Sequence, residues 1–310
     1  MATGRAFMDI ILHLGAHRTG TTALHSYLRG NRAALARLKL ALWDPEVLHR
    51  GLAAGMMGPP GPSNPAQKAR IARSVGRIGV RLAQMEREGI DRLLICDPAM
   101  IGSLQENLVQ SRLYPALLPR LARFGDVLGP RCSRVVLVIR SYDDYWASAI
   151  AEAVPMGLPM PDDARLERLV TQPRRWHRVA AEIATVFPRA ECLVCPYETI
   201  DGRLDLLLAE TLGEPFPLFP GAAQRLHKRP SRDMLHQVMA DRRIPLAAAG
   251  SGTTPWQPFQ PWHIEVLQAQ YAEDLDWLAR GGDGRVQLMA GAAPQGGRDD
   301  RPGKQAAGMG

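Results

Sequence analysis

The segment Gly15–Thr22 reads Gly-Ala-His-Arg-Thr-Gly-Thr-Thr and brings together residue types that bind anions. Its two glycines allow tight turns that aim successive backbone N–H groups at one point, and such a cradle binds phosphate or sulfate. Arg18 adds a fixed positive charge, and Thr hydroxyls add donors. An ordinary glycine turn with a threonine cap is the simpler alternative. We expect an anion site made by Arg18, Thr19, Gly20, Thr21 and Thr22.

The same segment differs from the loop that binds nucleoside triphosphates, which reads G-x-x-x-x-G-K-[ST]. Gly15 and Gly20 match its glycines, but Thr21 stands where that loop has its lysine. A phosphotransferase or NTPase remains an alternative, because Asp97 follows the apolar run Leu93–Cys96 as a Mg²⁺-binding aspartate would. A non-catalytic nucleotide-binding protein is a second alternative.

A second group of candidate anion-binding residues follows the apolar run Val135–Ile139, which is typical of a buried parallel strand. Arg140 ends this run, and Ser141 and Asp144 have the spacing of a helix capping box. Ser148 lies two helical turns beyond Ser141 on the same side. Arg140 and Ser148 can therefore converge on one anion, although a strand-end arginine and a solvated helical serine are the simpler explanation of this pair taken alone.

Short β-branched runs alternate with helical runs along most of the chain, which predicts parallel strands and a three-layer α/β/α fold. Ligands of such folds bind beyond the carboxyl ends of the strands. We expect an α/β domain over residues 1–280 and a flexible glycine-rich tail over residues 281–310. The predicted strands are Met8–Leu14, Arg92–Cys96, Arg134–Ile139 and Glu191–Cys195, and the predicted helices include Thr21–Leu40, Ala66–Glu88, Tyr142–Ala153 and His263–Ala279.

The composition is that of an ordinary globular protein, with 46% hydrophobic and 22% charged residues and a net charge of +7. Its apolar runs are too short to cross a membrane, and the first residues carry no signal-peptide pattern, so we expect a cytoplasmic protein. Four cysteines do not make a disulfide framework. The arginines are scattered without interleaved aromatic residues, which argues against a nucleic-acid partner.

The two anion-binding segments together resemble the sulfotransferases that use 3′-phosphoadenosine 5′-phosphosulfate (PAPS). His17–Thr22 is similar to the first family motif, which binds the 5′-phosphosulfate, and Ile10–Leu24 resembles bacterial members that carry His-Lys-Thr-Gly-Thr-Thr. Arg140 and Ser148 match the second motif, which holds the 3′-phosphate. The resemblance implies a P-loop-like fold, PAPS as sulfuryl donor and 3′-phosphoadenosine 5′-phosphate as product.

The sequence departs from the family at two places. Arg18 stands where the family usually has lysine, and an arginine cannot give up a proton near neutral pH. Many members also contact PAPS through an Arg-Lys-Gly segment late in the chain, and this segment is not evident here. Lys228 and Arg229 are a possible substitute, and a solvated basic loop is the alternative interpretation.

The expected reaction is transfer of a sulfuryl group from PAPS to a hydroxyl or amine of a small molecule or glycan, without a metal. The acceptor must lose a proton, and no motif identifies the base. Asp97 is the first candidate, as base or acceptor-positioning group, because it ends a strand; His17 is the second. A basic stripe over Arg70–Arg81 and the aromatic stretch Trp256–Trp262 could contact a carbohydrate, although a solvated face and a structural anchor are simpler interpretations.

Overall fold

The computed structural model describes residues 8–61, 64–200, 203–223, 229–242 and 254–289. A six-stranded sheet runs through these ranges in the order β2-β3-β1-β4-β5-β6. Every neighbouring pair of its strands is parallel. The strands are β1 Asp9–His13, β2 Leu40–Trp43, β3 Arg92–Cys96, β4 Cys132–Ile139, β5 Glu191–Pro196 and β6 Val286–Leu288.

Helices cover both faces of the sheet, which confirms the predicted three-layer α/β/α architecture. They are α1 Thr21–Gly30, α2 Arg32–Arg37, α3 Pro45–Val47, α4 Pro65–Arg87, α5 Leu104–Val109, α6 Leu117–Leu128, α7 Tyr142–Ala153, α8 Asp163–Thr171, α9 Trp176–Val186, α10 Tyr197–Ile200, α11 Leu204–Leu212, α12 Arg232–Asp241 and α13 Pro261–Ala279. Among these described helices, none combines the length and the apolar character that crossing a membrane requires.

Side chains of β1 alternate between two hydrophobic clusters, as the pleat of a buried strand requires. Ile11 packs with α1, α2 and α11 on one face of the sheet. Ile10 and Leu12 pack with α4, α6, α7 and α9 on the other face. Because both faces are covered, the loops at the carboxyl edge are where polar groups can meet a ligand.

Two sequence-based boundaries are wrong. The predicted helix Thr21–Leu40 ends early, because Asn31 and Lys39 interrupt it, and Leu40–Trp43 forms the edge strand β2. Strand β6 lies inside the segment predicted as a flexible tail, because Val286 is fully buried against the sheet. The sheet therefore extends past residue 280. Residues 290–310 lie outside the described residues.

The strand order changes direction at β1. Strand β3 lies on one side of β1, and β4 lies on the other. The loops that follow these three strands therefore diverge from one crevice, which is where open α/β sheets bind their ligands. Gly15, Asp97 and Arg140 stand at the start of these loops, so the fold brings together three segments that are far apart in sequence.

Candidate active site

The loop after β1 is shaped by two glycines in the left-handed region, with φ of 64° at Gly15 and 80° at Gly20. A Cβ atom on Gly15 would lie 2.9 Å from Thr21 Oγ1 and 3.2 Å from Cβ of Pro98. Ala16 N–H donates to the carbonyl of Val138, which fixes the loop to β4. Space and backbone conformation thus both require glycine at position 15.

The loop leads into the amino end of α1, where Gly20 is the capping residue and no side chain caps the helix. The first turn of α1 holds no acidic residue. Its amides lack acceptors within the helix and carry the positive end of the helix dipole, so this end is suited to an anion. The hydroxyls of Thr19 and Thr21 donate to the carbonyl of Ala16 and brace the loop, whereas Thr22 is exposed.

Arg18 adopts a left-handed conformation with φ of 67°, which a non-glycine residue maintains only when its surroundings hold it. Its Nε donates to Ser148 Oγ at 2.9 Å, and its Nη1 donates to Glu152 at 2.9 Å. Burial lowers the pKa of Arg18, and Glu152 partly opposes this effect. Ser148 is fully buried, and its hydroxyl oxygen accepts the hydrogen bond from Arg18; its convergence with Arg140 on one anion stays a prediction.

Arg140 lies beside Arg18 and binds its backbone. Its Nη1 donates to the carbonyl of Arg18 at 3.1 Å, and its Nη2 donates to Asp144 at 3.0 Å. Its guanidinium lies over the Tyr197 ring, 5.1 Å from the centroid. The Nε atom is buried without a hydrogen-bond partner among the described residues. A buried donor without an acceptor is costly, so this atom indicates a place for an anion.

Arg229 reaches the same carboxylate, with its Nη1 at 2.9 Å from Asp144 Oδ1. The Nε atom of Arg229 is buried without a hydrogen-bond partner in the described ranges. Asp144 therefore serves two guanidinium groups and does not form the predicted capping box, since the side chain of Ser141 makes no capping bond. Lys228 lies outside the described residues.

Asp97 ends β3 as predicted, but both of its carboxylate oxygens already accept hydrogen bonds. Its Oδ1 accepts from the N–H of Ala99 at 2.9 Å, and its Oδ2 lies 2.7 Å from Nε2 of His49. Asp97 is 1% exposed, whereas the side chain of His49 is 44% exposed. We therefore infer that Asp97 positions His49, and that His49 is the residue able to contact solvent or a ligand.

His49 is the functional candidate that the sequence did not reveal. It lies in the helical turn Leu48–Leu52 that follows α3, and Asp44 begins this segment by accepting from the N–H of Val47. Asp44 is fully buried and also binds Arg29. The hydrogen bond from His49 to Asp97 raises the pKa of His49. The sequence shows only the capping pattern at Asp44, and that pattern does not indicate that His49 contacts Asp97.

His17 lies on the other side of the loop and contacts Tyr114. The hydroxyl of Tyr114 is 2.9 Å from the backbone N of His17 and 3.0 Å from its Nδ1. Burial lowers the pKa of His17 to about 4, although Asp97 opposes this effect. The imidazole of His17 is therefore neutral at pH 7, whereas the hydrogen bond with Asp97 shifts the pKa of His49 in the opposite direction.

The features that suggested a carbohydrate acceptor are partly structural. Trp256 and Phe259 are buried and anchor their segment to the protein body. Trp262 is half exposed. The basic stripe Arg70–Arg81 lies on α4, where its first three arginines are exposed. The positions of these aromatic and basic residues do not identify the acceptor, which stays a prediction from the sequence.

Replacing Asp97 by Asn should lower the pKa of His49, because the substitution removes the charged acceptor that favours imidazolium. An NMR titration that follows the carbon-bound ring protons of His49 measures this change. His177, whose Nδ1 lies against Asp274, is the internal control, and its ring-proton resonances should be the same in both proteins. An unchanged His49 titration would contradict the contact between His49 and Asp97.

Replacing Glu152 by Gln should strengthen anion binding, because the ion pair with Arg18 competes with any anion for the guanidinium. We expect inorganic pyrophosphate to bind about fivefold more tightly, which corresponds to ~1 kcal/mol, as measured by calorimetry. Asp126→Asn is the matched control, since it removes one acidic charge near the end of α6 at the opposite edge of the sheet. Equal effects of the two variants would assign the change to net charge alone.

Comparison of the whole chain with protein-family models finds no match. Comparison with curated proteins likewise finds none. The assignment of a function to this crevice therefore depends on its own residues: a glycine loop at a helix terminus, three guanidinium groups that share two carboxylates, and a histidine bound to a buried aspartate.

Proposed function

We propose that the protein transfers a sulfuryl group from PAPS to a hydroxyl or amine of a small molecule or glycan. The observation that carries this proposal is the presence of two separate anion-binding groups at one edge of the sheet. The glycine loop with Arg18 is one, and Arg140 with Arg229 is the other. PAPS needs two such groups, because it carries a phosphosulfate and a distant 3′-phosphate. We place the reaction in the cytoplasm.

The loop Gly15–Gly20, the first turn of α1 and Arg18 would hold the 5′-phosphosulfate. Charge develops on the leaving phosphate when the bond from sulfur to oxygen breaks, and preorganised N–H donors stabilise that charge. Arg18 is fixed by Ser148 and Glu152, so its guanidinium needs little reorganisation before it acts. It supplies charge and hydrogen bonds, and it keeps its proton.

Arg140 and Arg229 would hold the 3′-phosphate. Both have buried N–H groups without hydrogen-bond acceptors in the described part of the chain, and a phosphate supplies such acceptors. Asp144 keeps the two guanidinium groups close together, since it contacts each of them. This arrangement supports recognition of a nucleotide phosphorylated at the 3′ position.

The pair of His49 and Asp97 would activate the acceptor. The Nδ1 atom of His49 does not face Asp97 and can take the proton of the acceptor hydroxyl, while Asp97 stabilises the imidazolium through Nε2–H. The acceptor oxygen then forms a bond to sulfur, the bond from sulfur to the phosphate oxygen breaks, and its electron pair remains on the leaving phosphate. Asp97 lies next to the loop Gly15–Gly20, which we call the donor loop, since its neighbour Pro98 lies against Gly15.

Two observations weigh against the alternative of a phosphotransferase or NTPase. Both oxygens of Asp97 accept hydrogen bonds within the protein, whereas a Mg²⁺-binding aspartate must present an oxygen to the metal or its water. Thr21 occupies the position where loops that bind nucleoside triphosphates have lysine, and its hydroxyl donates to the carbonyl of Ala16. The remaining alternative, a non-catalytic nucleotide-binding protein, does not require the His49 contact.

The direct test is turnover of labelled PAPS with a panel of hydroxyl and amine acceptors in excess chelator. We expect metal-independent transfer and no hydrolysis of ATP. His49→Gln should lower kcat at least about a hundredfold, the scale of a lost general base, while the Kd for 3′-phosphoadenosine 5′-phosphate stays unchanged. Magnesium-dependent hydrolysis of ATP would instead support the phosphotransferase. Tight binding of the nucleotide without turnover would support the non-catalytic alternative.

Arg140→Gln should weaken binding of 3′-phosphoadenosine 5′-phosphate about thirtyfold, which corresponds to the ~2 kcal/mol of a hydrogen bond to a charged group. Adenosine 5′-phosphate lacks the 3′-phosphate and should lose little affinity. Calorimetry with both nucleotides makes this comparison. Arg37→Gln is the matched control, because Arg37 is exposed at the end of α2, near the opposite edge of the sheet. Equal losses for the two nucleotides would remove Arg140 from the 3′-phosphate site.

A further inference from the structure

A chain of buried polar groups connects Asn107 on α5 to His17 in the donor loop. The side-chain amide of Asn107 bonds the hydroxyl of Tyr145 and the backbone N–H of Tyr114, and the Tyr114 hydroxyl contacts His17. Asn107, Tyr114 and Tyr145 are all fully buried. The hydroxyl hydrogen of Tyr114 therefore needs an acceptor inside the protein. This requirement defines the direction of the bond between Tyr114 and His17.

Asn107 fixes the position of Tyr114 through the backbone. The N–H of Tyr114 donates to Oδ1 of Asn107 at 2.8 Å, so the opposite atom of the amide must be the NH₂ group. That group donates to the hydroxyl oxygen of Tyr145 at 2.8 Å. Asn107 thus connects Tyr114 to the buried Tyr145 on α7.

The direction of the bond to His17 follows from this burial. The oxygen of Tyr114 accepts from the backbone N–H of His17. Among the described residues, the acceptor within hydrogen-bond distance of the Tyr114 hydroxyl is Nδ1 of His17, at 3.0 Å. Because Nδ1 accepts this hydrogen, a neutral His17 must carry its own hydrogen on Nε2. The opposite direction would leave the Tyr114 hydrogen buried without an acceptor in the described part of the chain.

We propose that Tyr114 holds His17 as its Nε2–H tautomer, so that His17 donates a hydrogen bond to the anion in the donor loop. His17 therefore does not take the proton of the acceptor, and that role stays with His49. Tyr114 is a positioning residue that acts through His17, and Asn107 holds Tyr114 in place. The identification of this anion as a phosphosulfate rests on the proposed function, whereas the tautomer does not.

The surroundings of His17 are consistent with a donor. Its ring stacks on Tyr114, with centroids 5.8 Å apart, and its Nδ1 lies against the buried hydroxyl of that residue. Nε2 lies across the ring from Nδ1 and points away from Tyr114. Arg18 follows His17 directly, and burial together with this charge keeps the imidazole neutral. Burial also raises the pKa of Tyr114 well above its usual range, so its hydroxyl keeps its hydrogen.

The decisive measurement is the ¹⁵N NMR spectrum of His17 in the wild-type protein at pH 7, with His17→Gln identifying the resonance. We expect a hydrogen on Nε2 and a bare, hydrogen-bonded Nδ1. Tyr114→Phe should convert His17 to a mixture of tautomers. Tyr27→Phe is the matched control, because Tyr27 is a buried tyrosine on α1 outside this chain and should leave the spectrum unchanged. A wild-type Nδ1–H tautomer would overturn the proposal, even where Tyr114→Phe fails to fold.

Inorganic pyrophosphate then tests the contact with the anion. Its addition should shift the Nε2 resonance of His17, and Tyr114→Phe should weaken its binding about fivefold, whereas Tyr27→Phe should not. A resonance that does not respond to bound pyrophosphate would refute the donor role. A different result is that His17 keeps the Nε2–H tautomer and responds to pyrophosphate while PAPS is not turned over. That result would contradict only the proposed sulfuryl transfer.

Discussion

Placing positive charge at the edge of a buried parallel sheet is the constraint on which this site depends. Arg18, Arg140 and Arg229 cannot be withdrawn from water unless carboxylates and carbonyls compensate for lost hydration. Glu152 and Asp144 supply this compensation, and both come from α7. The helix that follows β4 thus determines where all three guanidinium groups lie. The pairing is incomplete within the described ranges, since the Nε atoms of Arg140 and Arg229 have no acceptor there.

The parts of the site that the sequence predicted are those encoded by neighbouring residues. A strand, a glycine turn and a helix start follow one another along Asp9–Gly30, and a buried strand leads directly into Arg140. Such local patterns also predicted the parallel sheet. Strand β2 was missed because Leu40–Trp43 is short and continues the apolar pattern of the helices before it. Strand β6 was missed because the glycines of the segment from Gly281 dominate its composition.

The parts that the sequence did not reveal depend on contacts between distant segments. His49 meets Asp97 only because β2 and β3 are neighbours and the turn after α3 returns over the sheet edge. In the sequence, Glu152 is an ordinary helical glutamate. It contacts Arg18 only because the fold places α7 beside the loop that carries Arg18. Tyr114 acts on His17 across almost a hundred residues. Composition and periodicity describe faces of elements, and they do not identify which side chains meet between them.

The arginine at position 18 is explained by these same contacts. A lysine ammonium presents one charged atom at the end of a flexible stem, whereas the planar guanidinium offers several N–H groups in fixed directions. Arg18 uses Nε for Ser148 and Nη1 for Glu152, so two bonds hold a side chain whose backbone has an unfavourable φ. Because Arg18 does not release a proton, in the proposed transfer it would act on the leaving phosphate through charge and hydrogen bonds. Proton transfer would then have to come from another group, and we propose His49 for it, since Asp97 binds its Nε2 and leaves Nδ1 facing elsewhere.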